Sequence, residues 1–411
     1  MKKSFLITLF LCSFSIIYAQ NDTTKVITLR KDALNIYMQA SDFIKKEIPF
    51  VNYVRDINDA SIYIISSSQT TGSGGREINY FLIGQHEFAG MNDTISTVSS
   101  PDDTEEQIRE RQVNVLKMGL MRFVAKTPLA KYINIKFNQP IAEEVSIDKW
   151  DSWVFRTRIN GYLIGQKSYN SSNVYGSFSA SRVTSAWKMR YNLNFSHSSD
   201  KFDMDDEIIN STNKSKSFST LVVKSLGNHW SIGGTARIGS SSYSNEDIGS
   251  ELLPSIEYDI FPYSESTRRQ LRILYSLGAY NYQYTDTTIY NKTKESLLGH
   301  QLSAAYEVVQ KWGSIEMSMR WKNYFYDWKM NNLMLEGFIN LRVAKGLTLD
   351  LGGYYELIHD QLSLVKGGAS SDEILLRRKE LETSYSFFVQ FGISYTFGSI
   401  YNNVVNPRFG N

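Results

Sequence analysis

The chain has 411 residues, 44 Lys and Arg against 42 Asp and Glu, a 13% aromatic share, and one cysteine, Cys12, inside the apolar run Phe5 to Tyr18 that follows Lys2 and Lys3. That basic-then-apolar start, with Ala19 or Gln20 as cleavage point, reads as an export signal over 1–20, and Leu11 is too large for a lipoprotein-type site before Cys12. Without the signal, 42 basic residues face 42 acidic ones and no thiol remains, which removes any global case for nucleic-acid binding and excludes disulfides, thiolate metal sites and a cysteine nucleophile.

Residues 21–140 mix helical and strand periods and predict a small α/β domain. Ala60 to Ser66 and Glu77 to Gly84 are β-rich runs joined by the glycine-rich Thr71 to Gly75, a hairpin. Those glycines lack the Lys-Ser/Thr of a phosphate loop. Ala40 to Ile48 is amphipathic. Asp103 or Thr104 caps a second helix whose first turn holds Glu105 and Glu106 and whose face repeats Leu116, Leu120, Phe123 and Val124, with Pro128 closing it.

After a linker at 141–151 the period becomes two and stays two over 152–397. Trp187, Met189, Tyr191, Leu193 and Phe195 alternate with Lys188, Arg190, Asn192 and Asn194; Phe387 to Phe397 alternates in the same way. Such runs are near the roughly 9 to 11 residues of a membrane-crossing strand. A soluble β-sandwich also alternates, so connection lengths matter. Short turns are expected at Arg182 to Ser185, Leu226 to Asn228, Pro262 to Ser266, Gln310 to Gly313 and Ala344 to Gly346. Long loops are expected between them, at Ser198 to Lys216, Ser241 to Gly249, Tyr284 to Glu295 and Gln361 to Thr383. The pattern predicts an all-β transmembrane antiparallel barrel of about 12 strands, with the α/β domain and the tail 398–411 on the periplasmic side.

The last strand carries Gln390, Gly392, Tyr395 and Phe397 in the order polar, glycine, aromatic, aromatic. It resembles the terminal-strand signal of bacterial outer-membrane β-barrels. That resemblance implies recognition of these four residues by the barrel assembly machinery, and a home among outer-membrane lipids and lipopolysaccharide. More loosely, Trp187 to Phe397 resembles the salt-stress-induced YdiY-like outer-membrane barrels in its glycine-containing aromatic strands.

Strand parity turns one set of charges inward. The cations are Arg156, Arg158, Lys188, Arg190, Arg237, Arg272, Arg320, Lys322 and Arg342. The anions are Glu257, Asp259, Glu307, Glu316, Glu336, Asp350 and Glu356. They either interlock to brace a closed lumen or line a selective water path. A narrow pore for small solutes is one functional expectation. The other is a closed barrel that anchors the α/β domain for a periplasmic protein partner.

No cofactor is expected. His86, His197, His229, His300 and His359 are scattered without metal-ligand spacing, and the acidic run Asp200, Asp203, Asp205, Asp206 and Glu207 lacks the glycine of a calcium loop. A lipid-hydrolysing pair of His300 and Ser303 fails on parity, since Ser303 points inward; no enzyme is expected. Ser370 with Glu373 forms a capping-box pattern ahead of Leu375 to Lys379, a short helix that would meet lipopolysaccharide phosphates or fold into the lumen.

Overall fold

The computed structural model describes residues 32–72, 74–136, 148–204, 207–367 and 380–398. The export signal, most of the linker, Asp205 and Asp206, the Ser370 to Lys379 segment and the tail from residue 399 lie outside the described residues.

The α/β domain is a five-stranded sheet, β1 (Asn35–Tyr37), β2 (Asn52–Tyr53), β3 (Ile62–Thr70), β4 (Arg76–Gly84) and β5 (Asn92–Ser99), in the order β2-β1-β3-β4-β5. β1 pairs in parallel with β2 and β3, whereas β3, β4 and β5 form an antiparallel meander. Helix α1 spans Asp42–Glu47 and α2 spans Glu105–Val124. Thr104 caps α2 in a full capping box with Gln107, satisfying two otherwise orphaned amides. Leu116, Leu120 and Phe123 of α2 are fully buried, in one core with Ile62, Ile64 and Leu82. Each such side chain contributes about 1.5 to 3 kcal/mol by leaving water. The α2 helix ends at Val124, ahead of Pro128, which opens a short 3-10 turn.

Twelve strands follow: β6 (Trp153–Gly165), β7 (Tyr169–Val183), β8 (Trp187–Met204), β9 (Glu207–Ser225), β10 (Trp230–Ser241) and β11 (Glu246–Asp259), then β12 (Arg269–Tyr284), β13 (Lys294–Gln310), β14 (Gly313–Tyr324), β15 (Asp327–Ala344), β16 (Leu347–Ile358) and β17 (Tyr385–Tyr395). They form one antiparallel sheet in sequential order. The sheet is rolled, because Asn245 in the β10–β11 turn donates to the Ser363 carbonyl beyond β16, and both edges reach the α/β domain. It is not closed: among the described residues β6 pairs only with β7 and β17 only with β16.

The outer wall is apolar. Phe155, Ile159 and Leu163 of β6, Leu193 and Phe195 of β8, Ile273, Tyr275 and Leu277 of β12 and Phe387, Phe391 and Ile393 of β17 are all exposed on it. Trp153, Trp187, Trp230 and Trp312 stand at the strand ends nearest the α/β domain, and Trp321 and Trp328 near the opposite ends.

The expected alternation of short and long connections is not what the sheet shows. The inner turns at 184–186, 226–229, 260–268, 311–312 and 345–346 fall where the sequence placed them. At the other end, however, connections are as short as 166–168, 242–245 and 325–326. The segment Ser198 to Lys216, read as a loop, is ladder: β8 and β9 stay in register from Trp187 opposite Lys224 to Met204 opposite Glu207. Main-chain hydrogen bonds hold a ladder whatever the side chains are, so polar residues mark where apolar surroundings end rather than where a strand ends. Among the described residues the outer connection 285–293 is longer, equal in length to the inner 260–268 turn, and 359–367 leaves β16 as a loop.

Candidate functional site

The interior of the rolled sheet has three levels, and the inner mouth is capped by the α/β domain. Lys345 Nζ lies 2.8 Å from Asp59 Oδ2, and the neighbouring Gly346 amide donates to Asp56 Oδ2 at 3.3 Å. The Arg342 guanidinium hydrogen-bonds the Tyr37 hydroxyl and covers its ring at 4.5 Å. Across the mouth, Arg156 donates to the Gly74 carbonyl at 3.1 Å and Ser181 to the Gly72 carbonyl at 2.6 Å. Arg268 stacks on Phe81, and Arg55 reaches the Gly398 carbonyl beyond β17. The glycine-rich hairpin is needed here for space: a Cβ on Gly72 would stand 2.4 Å from Val183 Cβ. A cavity of about 630 Å³ remains between the cap sheet and the 260–268 turn.

Above the cap, parity does place the predicted charges on the inward face, and they divide. Arg272 pairs with Glu257 at 3.9 Å, and Tyr263 donates to the same carboxylate at 3.0 Å. Asp350 accepts from Asn340, and Arg320 approaches the Met334 sulfur at 3.3 Å. Asp259 is not a lumen charge: fully buried at the inner end of β11, it accepts the Phe261 and Leu271 amides and braces the turn. No ion pair joins Arg158, Lys188, Arg190, Glu307, Glu316 or Glu336 to a partner among the described residues. The cations Arg156, Arg158, Lys188 and Arg190 sit on β6 and β8. Glu307, Glu316, Glu336 and Asp350 sit on β13 to β16, five to ten places away in the strand order. Glu307 and Glu316 are direct cross-strand neighbours, an arrangement that costs stability unless water solvates it. The inward charges of β6 and β8 are thus cationic, while β13 to β16 carry these carboxylates together with Arg320 and Arg342; Arg158, Arg190, Arg320, Glu316, Glu336 and Asp350 are exposed.

At the outer end the lumen narrows to a chamber. Tyr280, Tyr282 and Tyr284 stack along the inward face of β12, and Tyr324 packs edge-on against Tyr280. The loop after β16 folds over them, burying Leu362 and Leu364 and bridging Val365 to Thr288. Asn245 holds it there, donating to both Asp286 and Ser363 carbonyls at 2.9 Å. Tyr282 donates to Glu251 at 3.2 Å and Tyr284 to Glu295 at 2.5 Å. Lys322 and Glu356 of the predicted set belong to this level, as does Arg237.

No family model matches the chain, and no curated protein matches it. Among solved structures it is similar to CdiB from Acinetobacter baumannii, at 9% identity, covering 89% of this chain and 74% of that one, with a TM-score of 0.28. A likeness that slight carries no argument about function.

Two functional features escaped the sequence reading. Tyr280, Tyr282 and Tyr284 repeat at period two on the polar parity of β12, and that phase was the available signal. The inward fold of residues 359–367 had none beyond Leu362 and Leu364. His300 lies on the outer face, opposite Leu277, with its Nδ1 3.2 Å from the Tyr275 hydroxyl and Trp321, Phe325 and Trp328 around it. Ser303 sits on the other face, opposite Arg320. Asp200 on β8 accepts from the Tyr169 hydroxyl of β7 at 2.9 Å.

Proposed function

We propose that the chain is an outer-membrane strand barrel that passes small charged solutes, with the α/β domain as its inner gate. An exposed apolar wall flanked by tryptophans at two levels fits a bilayer and not water. The free edge of β17 carries Gln390, Gly392 and Tyr395, which supports their role as the signal read by the assembly machinery. The observation that carries the conduit reading is the set of inward charges above the cap that no ion pair joins among the described residues, cations on β6 and β8 and Glu307, Glu316 and Glu336 on β13 to β15. Inward charges of this kind orient a dipolar or ionic solute and select its sign. The cap is held by polar contacts at the rim, each weak enough to be exchanged for water.

The test is electrical. Full-length protein in a planar bilayer should be mostly silent, whereas Arg342→Glu with Lys345→Glu should conduct in discrete steps, and adding Arg190→Glu should shift selectivity toward cations. Silence from both, in protein shown to be folded and inserted, overturns the conduit. The second reading, a closed barrel anchoring the cap for a periplasmic partner, draws on the same rim contacts. It predicts that a photo-crosslinker at the exposed Arg109 position traps one protein in cells.

A further inference from the structure

Among the described residues the outer chamber carries more carboxylates than cations, and tyrosines line its walls. Its volume is about 680 Å³, within the range of small-ligand sites. Glu246, Glu251, Glu356, Asp360 and Glu380 line it. Among the described residues two cations answer these five: Arg237, 3.6 Å from Glu246 and 3.5 Å from Glu251, and Lys322, 3.5 Å from Asp360. Among the described residues Glu356 accepts from the Asn332 amide, and Glu380 from Gln361 and Ser363. A cavity with surplus carboxylates attracts cations, and its low-dielectric walls strengthen the attraction.

The aromatic lining points the same way. Lys322 Nζ sits 4.8 Å from the Tyr280 ring centroid and 4.7 Å from that of Tyr324, so these faces already hold an ammonium group. Tyr324 is only 1% exposed and borders the cavity. An uncharged sugar would also stack on tyrosine, but it would leave the surplus carboxylates unanswered.

We infer that this chamber binds a small organic cation, an amine or polyamine whose ammonium groups meet Glu251, Glu356 and Glu380 while its methylenes lie on the tyrosine faces. Lys322 acts as the resident occupant that such a ligand competes with. The site goes beyond the conduit reading and does not rest on it, because the chamber lies at the end of the lumen remote from the cap.

Calorimetry on the detergent-solubilised full chain tests this with spermidine as the probe and maltotriose as the uncharged counterpart. Saturable binding of spermidine is expected, weakened about tenfold or more by Glu251→Gln with Glu356→Gln and by Tyr324→Leu. Lys322→Met should tighten it several-fold, a gain that damage to the fold does not produce. If Tyr324→Leu fails to fold, the carboxylate pair and Lys322→Met still decide the matter. Absence of saturable spermidine binding, binding indifferent to Lys322→Met and the carboxylate variant, or equal binding of maltotriose overturns the proposal. A silent bilayer with intact spermidine binding removes the conduit and leaves the chamber.

Discussion

Lys345 in the β15–β16 turn closes on Asp59 of the α/β domain at 2.8 Å, joining residues far apart in the chain across the inner mouth. Lys345→Glu should loosen the cap and raise its susceptibility to protease a few-fold in the intact protein. Asp59→Lys in the same chain should restore it. The hydrogen bond to Asp59 is the main cause that lifts the Lys345 ammonium above its ordinary value of 10.5. Its contribution is therefore complete below that value and lost only as pH rises through the higher folded one. Cap proteolysis should be flat across neutral pH and increase in strong alkali.

Acid should act elsewhere. The Asp103 carboxyl is held below its ordinary value of 3.8, first by the Ser100 amide at 2.7 Å and then by Arg111, with partial desolvation opposing both. A lowered pKa means that the contribution is present above 3.8 and disappears as pH falls through the folded value. Amide exchange in the first turn of α2 should accelerate below pH 3.8. Asp103→Asn should show faster exchange already at neutral pH and a flatter acid dependence.

Asn245 combines a left-handed backbone, φ 54°, with two side-chain donations that tie three outer connections together. Replacing it with Ala strands two partly buried carbonyls, at a cost of about 1 to 3 kcal/mol confined to that region. Hydrogen exchange at Ile289 and Lys366, whose amides bridge the two long loops, should rise, with no change in the α/β domain.

Two turn glycines should respond unequally to Ala. Gly313 has φ 138°, and a Cβ there would stand 1.8 Å from the Asn340 carbonyl oxygen, whereas Gly227 at φ 135° has open space around it. Gly313→Ala should sharply lower the yield of folded, heat-modifiable protein. Gly227→Ala carries only the backbone strain and should lower it little.

Much of the architecture was legible because period-two alternation in β8, β12 and β17 is imposed by the difference between the two sides of the wall. Thr104, with Glu105 and Glu106 after it, announced α2 in the same direct way. β5 was not legible: Asn92–Ser99 is mostly polar, and it is a strand because β4 offers it an edge. Parity found the inward charges but not their partners. Whether Arg272 meets Glu257 while Arg190 meets none depends on how the sheet rolls, and no local pattern encodes that curvature.

The β8–β9 ladder is 18 and 19 residues long. A bilayer crossing uses about 9 to 11 residues of a strand. Under the proposed outer-membrane reading the remainder, rich in Ser, Asn, Lys and Asp, would rise above the headgroups, with β7 paired to β8 as far as Phe202 while β9 runs on without β10 beyond their last pair at Ser215. In that setting an antibody, a phage tail or a neighbouring cell would touch this raised rim before the membrane itself.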